Sequence, residues 1–294
     1  GVARVTVLPN GVTASCPREG PMKEKPPKRG AVQGWSRGSV RRLRRWFYSV
    51  DGDQLDGLGF ALTLTVRDLP PSAADWTATR RRFLMRLQRA GMVRGQWLTE
   101  WQRRGVPHLH GCVFFPEASE VTPALLRDHW LSSAAEWGAG RSAQVITPLW
   151  GLSGWLQYQA KHSARGVRHY QRANVPEAWQ KGTGRLWGAV GAWPLREEVH
   201  AVDLEVFHRF RRLLRSWMVA QARQGAKRPD EWRRVAYLRR MLRDPERDRS
   251  FVRAVGEFCP EHVSRELLLA AAWGDLETSG MASSGAAHPQ GRGA

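Results

Sequence analysis

Two histidines, His108 and His110, stand two residues apart in an apolar run rich in β-branched and aromatic residues. Such a run is typical of a buried strand, in which alternate side chains leave the same face. The two imidazoles are therefore expected to lie side by side, where they can bind one metal ion. The same spacing also fits one surface histidine and one structural histidine, so by itself it leaves both interpretations open.

A carboxylate is placed to join these imidazoles. Glu100 belongs to a strand-like run that ends just before residues 103–107, a short segment typical of a hairpin turn. Such a hairpin would bring Glu100 beside His108 and His110. Gln102, near the end of the same run, offers an amide oxygen as the alternative ligand.

A phenol and an ammonium group follow later in the chain. Tyr158 and Lys161 are three residues apart in a segment of helical character, so they share one face of the predicted helix. Taken singly, the tyrosine is typical of a packing residue and the lysine of a surface charge. The combination is informative because it follows the histidine strand in a fixed order.

This order of features resembles the HUH endonucleases, specifically the rolling-circle replication initiators of plasmids and single-stranded DNA phages, including the filamentous-phage gene II protein type. The strand-like run at residues 60–66 is similar to the first motif of that family. Residues 184–188, Gly-Arg-Leu-Trp-Gly, are similar to a segment common in phage-type initiators. The resemblance covers roughly residues 55–195.

The resemblance implies site-specific nicking and rejoining of single-stranded DNA to initiate rolling-circle replication. Tyr158 would be the nucleophile and would form a covalent 5′-phosphotyrosine intermediate. Lys161 would ease loss of the phenol proton or stabilise the charge at phosphorus. A single catalytic tyrosine is expected, since Tyr170, the nearest second candidate, follows a helix-breaking Gly166.

The implied cofactor is Mg²⁺ or Mn²⁺, bound by Glu100, His108 and His110 and acting as a Lewis acid on the scissile phosphate. Mixed nitrogen and oxygen ligands suit Mn²⁺. Two histidines and a glutamate are also a catalytic zinc set, which leaves zinc open, although zinc hydrolysis needs no tyrosine.

The composition indicates a nucleic-acid partner. The chain carries 46 Lys and Arg residues against 27 Asp and Glu residues, a formal net charge of +19. Arginine binds phosphate through a bidentate fork and stacks on bases. A GC-rich genome would explain arginine in place of lysine, but not the net charge. Some of the 15 tryptophans could stack on single-stranded bases.

We expect DNA phosphates to be bound by three arginine clusters, namely Arg80, Arg81 and Arg82, then Arg103 and Arg104, and finally Arg211 and Arg212. The predicted partners are single-stranded DNA and duplex origin DNA. The resemblance adds a host helicase and a host polymerase.

Three isolated cysteines, Cys16, Cys112 and Cys259, show no spacing typical of a disulfide framework or a cysteine metal site. No apolar run reaches membrane-spanning length, and no signal-peptide pattern begins the sequence. We therefore predict a reducing, cytoplasmic compartment without membrane attachment.

The sequence predicts four regions. The first, residues 1–50, is a basic arm with a hairpin near Asn10 and an amphipathic helix at residues 39–48, which either lies on DNA or packs through Leu43 and Phe47. The others are a nicking endonuclease domain at residues 51–198, a basic helical region at residues 199–278 and a disordered tail at residues 279–294.

The predicted fold class is α+β: an antiparallel five-stranded sheet flanked by helices, an HUH-like nuclease fold, followed by a small C-terminal helical region. The expected elements are a strand at 60–66, a helix at 72–90, a hairpin at 92–115, a helix at 122–137, a strand at 142–148, the Tyr158 helix and a strand at 185–193. Further helices are expected at 202–224 and after Pro229 and Pro245.

The sequence leaves two alternative functions open. A transposase or a mobilisation relaxase of the same superfamily would use the same ligands and nucleophile, although the three-histidine pattern and N-terminal tyrosine of relaxases are not found. A non-catalytic DNA-binding protein with a structural histidine strand is the other. Metal-dependent covalent trapping on single-stranded DNA would separate the enzymes from the binding protein.

Overall fold

The computed structural model describes residues 2–16, 30–243 and 255–283. The chain divides into two units, one made of Gly1–Met22 with Arg196–Ala294 and the other of Lys23–Leu195. This division differs from the sequence-based boundaries at residues 50 and 198, because strand pairing joins the N-terminal hairpin to the chain that follows Arg196.

The first unit is built on an antiparallel four-stranded sheet in the order β8-β1-β2-β9. Its strands are β1 (Ala3–Leu8), β2 (Gly11–Ser15), β8 (Glu198–Val202) and β9 (Val255–Glu257). Its helices are α6 (Leu204–Gly225), α7 (Pro229–Arg243) and α8 (Glu261–Ser283). Phe207, Phe210 and Leu214 of α6 belong to the same buried cluster as Val5 and Val7 of β1. A chain ended at residue 198 would therefore lose the strand that pairs with one edge of β1.

The second unit is built on an antiparallel five-stranded sheet in the order β6-β3-β5-β4-β7. Its strands are β3 (Leu58–Thr65), β4 (Arg94–Trp101), β5 (Pro107–Phe115), β6 (Val145–Leu149) and β7 (Trp187–Gly191). Its helices are α1 (Arg37–Ser49), α2 (Ala73–Arg89), α3 (Pro123–Ser133), α4 (Gly151–Ser163) and α5 (Tyr170–Ala173). The predicted α+β class, with a five-stranded antiparallel sheet flanked by helices, is confirmed.

Helices cover both faces of the five-stranded sheet. Trp76 Nε1 of α2 donates to Thr99 Oγ1 (2.9 Å), whereas the Tyr158 hydroxyl of α4 donates to Gln96 Oε1 (2.7 Å). Side chains at odd and even positions of β4 leave opposite faces, so α2 and α4 lie on opposite sides of the sheet. Glu100 has the parity of Gln96 and therefore faces α4.

Helix α1 begins at a serine cap and buries its apolar stripe. Ser36 Oγ accepts a hydrogen bond from the amide of Ser39 (3.0 Å), which satisfies a donor in the first turn. Leu43 and Phe47 are fully buried, as the packing interpretation of this helix predicts. Arg42, on the other side of the helix, remains exposed.

The remaining differences from the predicted elements are local. The strand expected from residue 142 begins at Val145, because Arg141–Ala143 forms a 3₁₀ turn. Helix α7 begins at Pro229 as predicted, whereas Pro245 lies outside the described residues. Helix α8 includes residues 279–283 of the tail expected to be disordered, and residues 284–294 lie outside the described residues. No helix among the described residues is both long and apolar enough to cross a membrane.

Candidate active site

The β4–β5 hairpin brings together the three residues predicted to bind a metal. Glu100 pairs directly with His108 across the two strands, and the rings of His108 and His110 have centroids 4.3 Å apart. All three side chains are buried. One candidate ligand atom from each lies within 4.8 Å of the other two. Gln102, the alternative oxygen donor, instead accepts a hydrogen bond from Arg104 in the turn.

The donor atoms of this group fit a divalent cation. His110 Nδ1 lies 3.1 Å from Thr63 Oγ1, and His110 Nε2 is buried without a hydrogen bond to any described residue. Burial lowers the pKa of His108 to about 4 and holds the pKa of His110 well below its ordinary value. Both imidazoles are therefore neutral at pH 7, so each is in the form that binds a metal, and His110 Nε2 is the nitrogen that no described residue occupies by a hydrogen bond.

Two arginines neutralise the Glu100 carboxylate. Arg172 Nε donates to Glu100 Oε1 (2.9 Å), and Arg165 donates to Glu100 Oε2. The Arg172 guanidinium is fully buried; it also donates to the backbone oxygen of His162 (2.8 Å) and lies 4.4 Å from the Trp35 ring. Glu100 is thus the centre of a buried ion-pair network as well as a candidate ligand.

Tyr158 lies beside this cluster and contacts it through His162. The ring of His162, which is buried one turn after Tyr158 in α4, is 4.7 Å from the Tyr158 ring and 4.8 Å from the His110 ring. The Tyr158 hydroxyl donates to Gln96 Oε1, and burial raises the pKa of the phenol well above its ordinary value. The phenol is therefore protonated at neutral pH.

Lys161 and Tyr170 lie at the margin of the cluster. Lys161 is exposed, and its charge contributes to lowering the pKa of His108 and His110. Tyr170 is 45% exposed, and the Arg103 guanidinium lies 5.2 Å from its ring. The next residue, Gln171, is buried and places its Nε2 atom 3.2 Å from His108 Nε2.

The predicted DNA-binding arginines separate into exposed and buried groups. Arg81, Arg82, Arg103, Arg104 and Arg212 are exposed. Arg80 and Arg211 are 5% and 1% exposed, so neither can reach a phosphate without repacking. The Arg80 guanidinium stacks on Trp97 at 3.5 Å, and burial lowers its pKa to about 9. We therefore retain only the exposed arginines as candidates for DNA contact.

The residues that sequence analysis missed are the neighbours of the predicted ones, namely Gln96, His162, Arg165, Gln171 and Arg172. Two of them were predictable from their spacing. Gln96 shares a strand face with Glu100, and His162 shares a helix face with Tyr158. The two arginines come from an irregular segment and a single-turn helix, where no period marks a buried position.

Three buried, neutral histidines should make stability depend on pH. Burial lowers the pKa of His108, His110 and His162, so these groups take up protons near pH 6.5 only in the unfolded chain. In EDTA, the free energy of unfolding should be constant above about pH 7.5 and decrease toward pH 5.5, by up to about 1.4 kcal/mol per pH unit for each histidine. Denaturant titrations of the full chain at several pH values measure this slope.

The matched variants are His162→Asn and His262→Asn. The first removes one buried histidine and should make the slope shallower, whereas the second replaces an exposed histidine of α8 and serves as the control. An equal slope for wild type and His162→Asn would show that this histidine is not kept neutral by the fold.

Comparison with known proteins identifies relatives over most of the chain. A protein of Xylella fastidiosa strain 9a5c named "Putative replication protein" is 46% identical over 252 residues, covering 82% of this chain and 86% of the relative. A protein of the same name from strain Temecula1 is 48% identical over 238 residues, covering 78% and 88%. The replication-associated protein of Pseudomonas phage Pf3 is 42% identical over 245 residues, covering 82% and 86%.

These alignments are longer than the roughly 140 residues over which the motifs lie, so the likeness extends beyond them. No protein-family profile matches the chain. No solved structure matches it either. The sequence identity and coverage of these relatives are sufficient to show that the chain belongs to their family. The chain belongs to the family of replication proteins that includes these Xylella fastidiosa proteins and the replication-associated protein of phage Pf3.

Proposed function

We propose that this chain is a site-specific DNA strand-nicking and rejoining enzyme that initiates rolling-circle replication of a plasmid or phage. The observation that carries the proposal is one buried cluster, in which Glu100, His108 and His110 lie beside His162 and through it contact Tyr158. The names of the relatives favour a replication initiator over a transposase or a mobilisation relaxase.

In the proposed reaction, Tyr158 Oη forms a bond to the scissile phosphorus and the bond from phosphorus to the 3′ oxygen breaks. The phenol loses a proton and the departing 3′ oxygen gains one. The protein then carries the 5′-phosphate of one fragment, and the other fragment has a free 3′-hydroxyl. Because the ester bond is exchanged and not hydrolysed, a later attack by a 3′-hydroxyl can rejoin the strand.

Glu100, His108 and His110 would hold a divalent cation, Mg²⁺ or Mn²⁺, and such an ion supplies Lewis-acid chemistry to a phosphoryl oxygen. Thr63 fixes the orientation of His110 through Nδ1, which leaves Nε2 directed away from that hydrogen bond. This arrangement is the usual way in which an outer partner orients a ligating imidazole.

Release of the Tyr158 proton is the step that the surrounding residues must assist. Tyr158 is only 6% exposed and its hydroxyl donates to Gln96, so the proposed attack requires α4 to repack and open the hydroxyl to a DNA phosphate. Arg165, whose charge lowers the pKa of Tyr158, and Lys161 are the proposed groups that stabilise negative charge during attack. Exposed Lys161 can approach a bound strand without repacking.

The experiment that tests this function is covalent trapping on a pool of single-stranded oligonucleotides. A 3′-labelled strand should yield labelled protein on a denaturing gel in Mg²⁺ or Mn²⁺ and none in EDTA, whereas a 5′-labelled strand should yield a shorter free fragment. Absence of an adduct with every metal and sequence would reject the enzyme. It would favour the second candidate, a non-catalytic DNA-binding protein whose Glu100 serves only its ion pairs with Arg165 and Arg172.

Arg103 is expected to bind a DNA phosphate near the site. Its side chain is exposed in the β4–β5 turn, whereas Arg104 is engaged by the backbone oxygens of Val66 and Arg67 (2.7 Å each). Arg103→Ala should weaken binding to single-stranded DNA and reduce the slope of log affinity against log salt by about 0.7. Fluorescence anisotropy at four or more salt concentrations measures both quantities.

The control for this prediction is Arg89→Ala. Arg89 is an exposed arginine at the end of α2, on the side of the sheet opposite α4 and Tyr158. Its removal changes the net charge equally but should leave the salt slope as in wild type. Equal salt slopes for Arg103→Ala and Arg89→Ala would show that Arg103 acts only through the net charge of the protein and makes no specific contact with a phosphate.

The proposed function also sets the partners and the compartment. A free 3′-hydroxyl primes a DNA polymerase, and extension on a duplex requires a helicase, so host enzymes of both classes are proposed partners. The proposed location is the cytoplasm, where such enzymes act. Cys16, Cys112 and Cys259 are free thiols in the structure, which suits a reducing compartment.

A further inference from the structure

A cavity of about 960 Å³ lies in the second unit, apart from the Tyr158 cluster. It is open to solvent on one side and is lined by residues 31–36, the first two turns of α1 and residues 185–187 at the start of β7. Val32, which lines the cavity, is held in place by Thr183, whose amide and hydroxyl both donate to the Val32 oxygen (2.6 and 2.9 Å). The volume is at the upper end of the range for pockets that bind small ligands.

The cavity is suited to an anion. Arg42 and Arg185 both line it, and no lining residue that the structure describes is acidic. Arg185 Nε donates to the Trp187 oxygen (3.0 Å), which holds that guanidinium near the cavity. The Arg42 guanidinium makes no ion pair or hydrogen bond with any described residue, so its donors are available for a phosphate.

The cavity also presents an aromatic ring. Trp187 lines the same space as the two arginines; its ring lies 6.4 Å from that of Trp46 but remains partly exposed. Aromatic side chains beside basic groups bind single-stranded nucleic acids by stacking on the bases, with little dependence on sequence. Two guanidinium groups and an indole thus match the phosphate and the base of one nucleotide.

The cavity is linked to Glu100 through the backbone of Thr99. The amide of Thr99 donates to the Leu186 oxygen (2.7 Å), and the Thr99 oxygen accepts from Trp35 Nε1 (3.0 Å). Leu186 and Trp35 both line the cavity. The Trp35 ring lies 4.4 Å from the Arg172 guanidinium, which pairs with Glu100. A strand that occupied the cavity would therefore contact two residues that are hydrogen-bonded to Thr99, the residue before Glu100.

We propose that this cavity binds one nucleotide of the DNA strand that is cut, with its phosphate on Arg42 and Arg185 and its base against Trp187. The identity of the strand rests on the proposed function. The proposal gives a role to the whole of residues 184–188. Gly184 adopts a positive φ (+63°) in the irregular segment before β7, and a Cβ on Gly188 would lie 2.9 Å from Trp97 Cζ2, so the two glycines shape the backbone that presents Arg185 and Trp187.

The test uses an oligonucleotide that becomes attached to the wild-type chain in the trapping experiment. Each nucleotide of that strand is replaced in turn by an abasic unit, and affinity is measured with the full-length Tyr158→Phe variant, which leaves the strand uncut. Loss of one particular base should weaken binding about 10-fold or more. Adding Trp187→Ala should remove the penalty at that position, and Arg89→Ala should leave it in place. The same penalty with and without Trp187 would overturn the proposal.

A second variant covers failure of Trp187→Ala to fold. Arg42→Ala changes an exposed side chain, and it should weaken binding of the same strand and reduce its salt slope by about 0.7. An unchanged affinity and slope would overturn the proposal. So would tight binding of free thymidine triphosphate combined with unchanged oligonucleotide affinity in Arg42→Ala, because the cavity would then be a free-nucleotide site.

Failure of the proposed function is recognised separately, by the absence of an adduct with the wild-type chain. In that case the probe is a sixteen-nucleotide oligothymidylate. Weaker binding by Trp187→Ala and Arg42→Ala, but not by Arg89→Ala, would still support a nucleotide-binding cavity. Equal binding by all three variants would overturn it.

Discussion

Tyr158→Phe is expected to abolish DNA cleavage and the covalent protein–DNA adduct, a loss of about 10³-fold or more, while the affinity for single-stranded DNA stays nearly unchanged. The substitution removes only the oxygen proposed to attack phosphorus, and the ring keeps its packing against His162 and Trp155. Denaturing gels with 3′-labelled strands measure the adduct, and anisotropy measures the affinity.

The matched control is Tyr170→Phe. Tyr170 is 45% exposed and its ring lies under Arg103, outside the buried cluster, so its hydroxyl is not expected to attack phosphorus. The variant should retain the adduct. If the adduct instead persists in Tyr158→Phe and disappears in Tyr170→Phe, Tyr170 is the nucleophile and its assignment to α4 is wrong. His162 would then not lie beside the attacking hydroxyl.

The loss of the hydrogen bond from Tyr158 to Gln96 adds a second consequence. Gln96 is almost completely buried, and its Nε2 atom already has no hydrogen bond to a described residue. In Tyr158→Phe its Oε1 atom loses the phenolic donor as well, which should cost about 1–3 kcal/mol of stability. Activity must therefore be compared at a temperature well below the unfolding of the variant.

Local periodicity was sufficient to predict the sheet that carries the site. Alternation in the run around His108 and His110 fixed their common face, and the short turn before Pro107 fixed Glu100 opposite His108. Helical character likewise placed Tyr158 and Lys161 in one helix, but Tyr158 is buried there whereas Lys161 is exposed. These features depend on contacts between residues close in sequence, which is why a pattern in one chain reveals them.

Contacts between distant residues were not predictable in the same way. Strand β1 pairs with β8, almost two hundred residues later, and nothing in either short run specifies the partner. Arg172 is buried and Arg165 partly buried because Glu100 needs compensating charge, a requirement that appears only once the fold is known. The burial of Arg80 could have been predicted from helical spacing, because Arg80 lies four residues after Trp76 and four before Leu84, on the buried face of α2.

His110→Ala is expected to eliminate metal-dependent cleavage and to weaken Mn²⁺ binding by more than about 10-fold, the loss seen even when an outer partner of a ligand is removed. The reason is that His110 Nε2 is buried, makes no hydrogen bond to any described residue and lies 3.5 Å from Glu100 Oε2, so a metal held by both would be its partner. Calorimetric titration of the full chain with MnCl₂ measures binding independently of cleavage. His108→Ala should behave alike.

Glu100→Ala provides the contrast that separates a ligand from a structural carboxylate. It leaves the fully buried guanidinium of Arg172 without its counter-charge, so it should lower the free energy of unfolding in EDTA by about 3–5 kcal/mol. His110→Ala breaks no ion pair with an arginine and should cost less. If both variants lose Mn²⁺ binding, Glu100 both binds the metal and fixes Arg165 and Arg172. If His110→Ala keeps full Mn²⁺ binding and cleavage, the three residues form a polar network of the fold, and the metal proposal is wrong.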